Sequence, residues 1–442
     1  VRWAASILFV LSPVVYAAGS PLKSTTPDAQ LEHAVRTGDH GAAGRLLAAG
    51  ADPNRPLPDG STLLAWAVER QDGEMVKRLL ARKANVEGGA DPAAAALIVA
   101  CQYGDPSIVG LLLDARANVN VVRPDGIGPL ALCAGSAPPE IVTRLVSAGA
   151  TVDKVDAQGQ TPLMWAAAKG RIGNMRVLLA NGAQVNRQTP SGFTPLFFAL
   201  KSGEPRAPVA LVEAGADVDH VAADGTSAVQ LAMYQKDFEF AARMIRRGVD
   251  VHAFDRNGHT LLHAAVLANQ PSLVSLLLAK GSNPKRLTGL SRVERRYEVN
   301  YRSDPYEEVP KPPLLLAAEG GFAEVMQLLV DAGADVGYRS QDGTNIVHAA
   351  ARSGKLPALA LALEWLPDPN TTDRYGQTPL HLLLQGDGTP DTEAMMRLIA
   401  EKGGRTDLRD GAGQTAAEAA LNAQRGPRSA FVATFGERTA NL

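Results

Sequence analysis

Apolar residues in this chain fall in short paired clusters, not in one sustained period. From Gly159 to Asn186 it runs GQTPLMWAAAKGRIGNMRVLLANGAQVN. Leu163, Trp165 and Ala166 share one face of a short predicted helix and are expected to face a stacked neighbour. Val177, Leu178 and Leu179 make the apolar face of a second helix. Thr161 stands where a hydroxyl caps the first helix, and Pro162 holds the first helical position, where its missing N–H costs nothing. Gly170 and Gly182 end the two helices. The stretch therefore predicts a tight turn, a helix, a bend, a second helix and a return loop.

The pattern recurs at a fixed step. Gly60, Gly126, Gly159, Gly192, Gly225 and Gly258 lie at multiples of 33 residues, with Ala93 at the one missing place. Gly343 and Gly376 resume the step after an interruption, and Gly413 follows 37 residues later. Self-similarity at this period, with two helices per unit, marks a repeat array. The Thr-Pro-Leu helix start, the Ala-Ala pair, the Leu-Leu pair and the Gly-Ala-x-Val-Asn exit of Gly159–Asn186 closely resemble an ankyrin repeat. That resemblance implies an all-α ankyrin-repeat solenoid over 28–435, with about twelve helix-turn-helix units and short β-turn fingers between them.

The units vary in quality. The first, Asp28–Asn54, carries Glu32, Arg36 and Asp39 on its first helix, as suits a solvated end cap. The fifth and sixth, from Thr161 and Thr194, lie nearest the pattern. The seventh, SAVQLAMYQKDFEFAARMIRRGVDV, lacks the helix-start Pro and the central Gly. The ninth begins near Pro312, and the tenth and eleventh at Asn345 and Thr378. The last, Gln414–Phe435, has an Ala-rich first helix and an incomplete second half, and reads as the C-terminal cap. Residues 436–442 form a tail.

One register break interrupts the array. The step from Gly258 to the equivalent Pro310 is 19 residues too long, and the excess lies in KRLTGLSRVERRYEVNYRSDPYEEV. The insertion, 286–309, falls between units eight and nine and carries three of the eight tyrosines, Tyr297, Tyr301 and Tyr306, with Arg295 and Arg296 among its arginines. Val293, Tyr297, Val299 and Tyr301 alternate as in a short hairpin. Insertions in repeat arrays map to loops, often on the binding face, although long surface loops are also tolerated without any partner.

Composition narrows the function classes. Lys+Arg 44 against Asp+Glu 46 leaves a net charge of −2, so no basic excess points to nucleic acid or an anionic membrane. Aromatics make up only 5%, which suits thin helices packed through small side chains. At the N-terminus Arg2 precedes an apolar run from Ala4 to Val15, followed by Ala17, Ala18, Gly19 and Ser20. This reads as a secretory signal peptide over 1–18, cut after Ala17 or Ala18, with a flexible leader over 19–27; an uncleaved anchor is the alternative. The expected location is periplasmic or secreted, off the membrane once the signal is removed.

Catalytic chemistry is not evident. His263, His348 and His381 occupy the fourth position of the Thr-Pro-Leu-His motif, where the resemblance implies structural hydrogen bonds between neighbouring turns. The other five histidines have no metal-ligand spacing, and no nucleophile elbow or phosphate loop is present. No enzyme activity, metal or cofactor is expected. The repeated Asp residues of the turns read as caps. Trp66 and Trp165 share one repeat position and read as core. Cys101 and Cys133 occupy two successive Ala positions in neighbouring units, and read as buried free thiols, because helix axes about 8–10 Å apart leave little room for a bridge; a disulfide in an oxidising compartment is the alternative.

Ankyrin proteins bind partners through finger tips and the exposed side of the first helices. Positions mapping there are Gln160, Lys169, Phe193, Arg256, Asn257, His259, Arg374, Tyr375 and Gln377. Phe193 stands out, as a large apolar group at a turn tip. With the insertion residues Arg295, Arg296, Tyr297, Tyr301 and Tyr306, the residues Phe193, Arg256, His259 and Tyr375 are the candidate contacts. The expectation is a monomeric, non-enzymatic scaffold that recognises a protein partner through its concave face and the 286–309 insertion, the alternatives being an accessory or inhibitor of a periplasmic enzyme, or a secreted effector acting on host proteins.

Overall fold

The computed structural model describes residues 26–57, 60–87, 95–290 and 309–436. Among them lie 24 helices, from α1 (Pro27–Thr37) to α24 (Arg425–Phe435), so odd-numbered helices are the first and even-numbered the second helices of twelve repeats. Beyond helix and turn, the described residues hold only the isolated bridges Val221–Ser227 and Arg409–Thr415. No described helix is long and apolar enough to cross a membrane. The signal segment, Ala93 and the hairpin pattern of the insertion lie outside the described residues.

The chain divides into two compact units, residues 1–157 with 176–182, and residues 158–175 with 183–442. Within each, the first helices of successive repeats pack on one another. Small residues allow this. Ala67 and Ala100 in the first unit, and Ala166, Ala199, Ala232 and Ala265 in the second, recur every 33 residues and are all buried. The second helices bury larger side chains, such as Met75, Val76 and Leu79 in α4 (Gly73–Ala81). Each such side chain contributes roughly 1.5–3 kcal/mol by leaving water. In Gly159–Asn186 the deeply buried apolar second-helix residues are Met175 and Leu178, while Val177 and Leu179 are half-buried.

Local backbone choices follow the residues. The Thr161 hydroxyl accepts from the Met164 amide at 3.3 Å, as a helix cap should. The seventh repeat manages without its Pro and Gly. Ser227 and Gln230 form a reciprocal capping box at the start of α13 (Ala228–Tyr234), and Lys236 takes the left-handed bend at φ 62°. The last repeat is more complete than its sequence implies: α24 is a full helix, and Phe431 within it is completely buried.

Two core expectations need correcting. Trp66 and Trp165 are half-buried on the outer side of their first helices instead of filling the core; the Arg36 guanidinium lies 4.5 Å from the Trp66 ring centre. Cys101 and Cys133 are not free. They form a disulfide between α5 (Ala96–Tyr103) and α7 (Pro129–Ser136), with Cα atoms 4.7 Å apart. The axis-spacing argument fails because these helices meet almost backbone to backbone. A Cβ on Gly104 would come within 2.8 Å of the Ser136 backbone, and the Ser136 hydroxyl donates to the Cys101 carbonyl at 2.6 Å.

The unfolded, unreduced protein is accordingly expected to show no free thiol with Ellman's reagent, and two after reduction. Cys133→Ala should cost about 2–4 kcal/mol of stability in denaturant titrations run without reductant. Two free thiols before reduction would refute the bridge.

Candidate protein-binding surface

The fingers repeat one hydrogen-bond scheme. In the finger opening the eighth repeat, the Asp255 amide donates to the His259 carbonyl at 2.8 Å, and the Gly258 amide to the Asp255 carbonyl at 3.1 Å. Asp255 Oδ1 accepts the Asn257 and His259 amides, each at 2.8 Å. Asp373 and Asp410 do the same in the eleventh and twelfth fingers. These carboxylates are turn caps, as their sequence context implies, and they leave the residues after them at the tip. Gly258 must be glycine: its φ is 77°, and a Cβ there would collide with the Gly289 carbonyl oxygen.

Buried histidines tie three of the fingers to the next. His263 Nδ1 pairs with the Thr260 hydroxyl at 2.8 Å, while Nε2 donates to the Arg286 carbonyl at 3.0 Å. His348 and His381 reach the Gln377 and Gln414 carbonyls in the same way. In the seventh repeat Gln230 replaces the imidazole, bonding the Ser227 amide and the Ala253 carbonyl. A second tie was not evident in the sequence. Exit asparagines clamp the following loop: Asn186, for example, accepts the Asp217 amide at 2.8 Å and donates to the Gly215 carbonyl at 3.2 Å. Asn54, Asn120 and Asn370 repeat it, so the signal available was their recurrence at the unit exits.

On this frame, three of the predicted contacts converge. Arg256, at the eighth finger tip, lies 3.5 Å from Asp224 of the seventh. Phe193, before the sixth repeat, is half-buried, and its ring centre is 5.5 Å from that of the buried Phe197. That contact supplies the structural reason the sequence did not reveal. Lys201, at the end of α11 (Pro195–Leu200), sits over Phe193 at 5.8 Å. His259 lies 3.4 Å from the Tyr234 hydroxyl.

Tyr234 and Lys201 belong to this surface and were missed. Tyr234 is 43% exposed, yet its hydroxyl is bound by the Asp255 carboxylate and by Asn257 Nδ2 at 3.0 Å. Burial first, and then the Asp255 carboxylate, push its pKa far up, so it stays a neutral phenol. Leu267, at the end of α15 (Leu261–Leu267), is 46% exposed. Lys201, Tyr234 and Leu267 are spaced 33 residues apart, the signal that marks them as one row.

Tyr375 does not join this group. It lies in the eleventh finger, 52% exposed, with the Arg374 guanidinium 4.8 Å from its ring centre. Arg295, Arg296, Tyr297, Tyr301 and Tyr306 lie outside the described residues. The base of their insertion is closed: the Thr288 amide donates to the Lys311 carbonyl, and the Lys311 amide to the Thr288 hydroxyl, each at 3.0 Å. Among the described residues no group of three His, Cys, Asp or Glu could hold a metal ion.

The sequence matches the family description "Ankyrin repeats (3 copies)" over residues 31–123, 130–222, 196–288 and 314–410. The chain belongs to the ankyrin-repeat family. Similar curated proteins include mouse protein phosphatase 1 regulatory subunit 12A (Mus musculus), 42% identical over 65 residues, 15% of this chain and 6% of that protein. Human SH3 and multiple ankyrin repeat domains protein 2 (Homo sapiens) is 37% identical over 90 residues, 20% of this chain and 5% of that protein. Human transient receptor potential cation channel subfamily A member 1 is 27% identical over 153 residues, 34% of this chain and 12% of that protein. The chain thus matches only a small share of each relative's length. What it has in common with them is the repeat, and ankyrin repeats are protein-interaction scaffolds.

Burial of His263 ties the stability of this ankyrin array to pH. Burial lowers the His263 pKa from 6.5 to about 4, so the unfolded state takes up the proton first. Its stabilisation is therefore complete above pH about 6.5 and is lost as pH falls toward 4, by roughly 2–3 kcal/mol. His263→Gln, which copies the bonding of Gln230, should flatten the fall in urea midpoint between those pH values. An unchanged slope would show that His263 does not carry it.

Proposed function

We propose that this ankyrin protein is a non-enzymatic binding protein, exported to the periplasm, that recognises a protein partner through its first-helix faces and fingers. The row Lys201, Tyr234 and Leu267 carries this reading. Aromatic and aliphatic side chains stand at the surface there, and the phenol of Tyr234 is held in place before any partner arrives. An ordered aromatic beside cationic groups loses little side-chain entropy on binding, and has the composition of an interface hot spot. The closed base of the 286–309 insertion offers a second mounting point for contacts.

Export is supported by two independent features. The N-terminal segment has the layout of a signal peptide. The Cys101–Cys133 disulfide fits an oxidising compartment better than a reducing one.

A photo-crosslinking amino acid placed at Leu267, on the first-helix face, and separately at Glu239, on the exposed side of a second helix, tests the binding reading. Adducts are expected from Leu267 in periplasmic extract and not from Glu239. Adducts from Glu239 alone, or from neither position, would refute it. Recovery of the protein in the cytosol with both thiols free would refute export.

A further inference from the structure

Two cations meet on the exposed face of repeats six to eight with one carboxylate between them. Arg256 is paired with Asp224 at 3.5 Å. Lys201 has no such partner: among the described residues its ammonium makes neither a hydrogen bond nor an ion pair, and lies only over the Phe193 ring. The other acid nearby is already engaged, because Asp255 accepts two finger amides through Oδ1 and the Tyr234 hydroxyl through Oδ2. Burial and the neighbouring Arg256 both push the Lys201 pKa down, against the pull of Asp224. Among the described residues the Lys201 ammonium is therefore left without a carboxylate in contact, beside the exposed Tyr234 ring and Leu267.

We propose that this face binds an acidic segment of the protein partner. A carboxylate of the segment sits against Lys201 and Arg256, and apolar side chains that follow it lie on Tyr234 and Leu267. The proposal rests on the protein-binding reading above. The repeat geometry sets the register. Lys201, Tyr234 and Leu267 hold the same position in consecutive repeats, and neighbouring helices stand about 8–10 Å apart. An extended chain advances about 3.3 Å per residue, so three residues cover one repeat. The segment is an Asp or Glu with apolar residues three and six positions away. Charge complementarity selects the acid and the exposed rings select the apolar pair.

The probe is a phage-displayed library of random twelve-residue peptides, selected on the immobilised full-length, oxidised protein. Enriched peptides are expected to carry an acid with apolar residues at those two spacings. Their affinity should fall about tenfold or more on Lys201→Glu, and by a similar factor on Tyr234→Ala. Replacing the peptide's acid by Lys should restore binding to Lys201→Glu. Lys201 is at the surface, so Lys201→Met provides a second variant that removes the charge without reversing it, and unchanged thermal melting verifies the fold of both. Enriched peptides without an acid, or with affinities indifferent to both Lys201 variants, would overturn the proposal. An empty selection would also overturn it: with Leu267 adducts present, protein binding would stand and the acidic-segment assignment alone would fall, whereas without them both would fall.

Discussion

Everything in this structure depends on how closely successive first helices approach one another. A two-helix repeat cannot bury its own apolar face, so stability comes from stacking, and stacking needs a position where a side chain barely exists. The alanines at Ala67, Ala100, Ala166, Ala199, Ala232 and Ala265 provide it within the two compact units. Cys133 stands in the same register as these alanines, and the neighbouring Cys101 belongs to the preceding repeat. The short distance that makes room for alanine also brings the two sulfurs within bonding reach. Packing and covalent chemistry here have one geometric cause.

Close stacking also brings successive fingers into register, and hydrogen bonds then hold them there. Imidazoles of His263, His348 and His381 span from one finger to the next, and exit asparagines clamp the adjoining loops. Backbone pairs add to this, such as the Arg374 amide with the Asp342 carbonyl at 2.8 Å and the Gly289 amide with the Gly258 carbonyl at 2.7 Å. Buried polar groups are costly unless satisfied, so each tie both removes a penalty and sets a position. The seventh repeat shows how much variation is tolerated: Gln230 does the bonding of the histidine and Lys236 takes the bend of the glycine.

A frame this regular leaves its outward positions free to vary. On repeats six to eight the outward row changes from charged to aromatic to aliphatic through Lys201, Tyr234 and Leu267. The fingers beside it do two jobs at once. Asp255 caps its own turn and also fixes the Tyr234 hydroxyl, so the residue that shapes the finger also orders the neighbouring surface.

The sequence by itself determined the repeat, its period, its helix pairs and the structural role of the motif histidines, because these depend on local propensity and on residues recurring at one spacing. It also placed Phe193, Arg256 and His259 at the fingers, since register alone sets that position. Tertiary structure decided what depends on distances between repeats. The disulfide was only an alternative in the sequence because typical helix spacing disfavours it, and the near-contact of α5 with α7 permits it. The half-burial of Trp66 and Trp165, the contact of Phe193 with Phe197, and the grouping of Tyr234 with Arg256 were hidden because they too depend on distances between repeats. One residue's helical position is set by its own chain segment, but its neighbours are set by how close the next repeat comes.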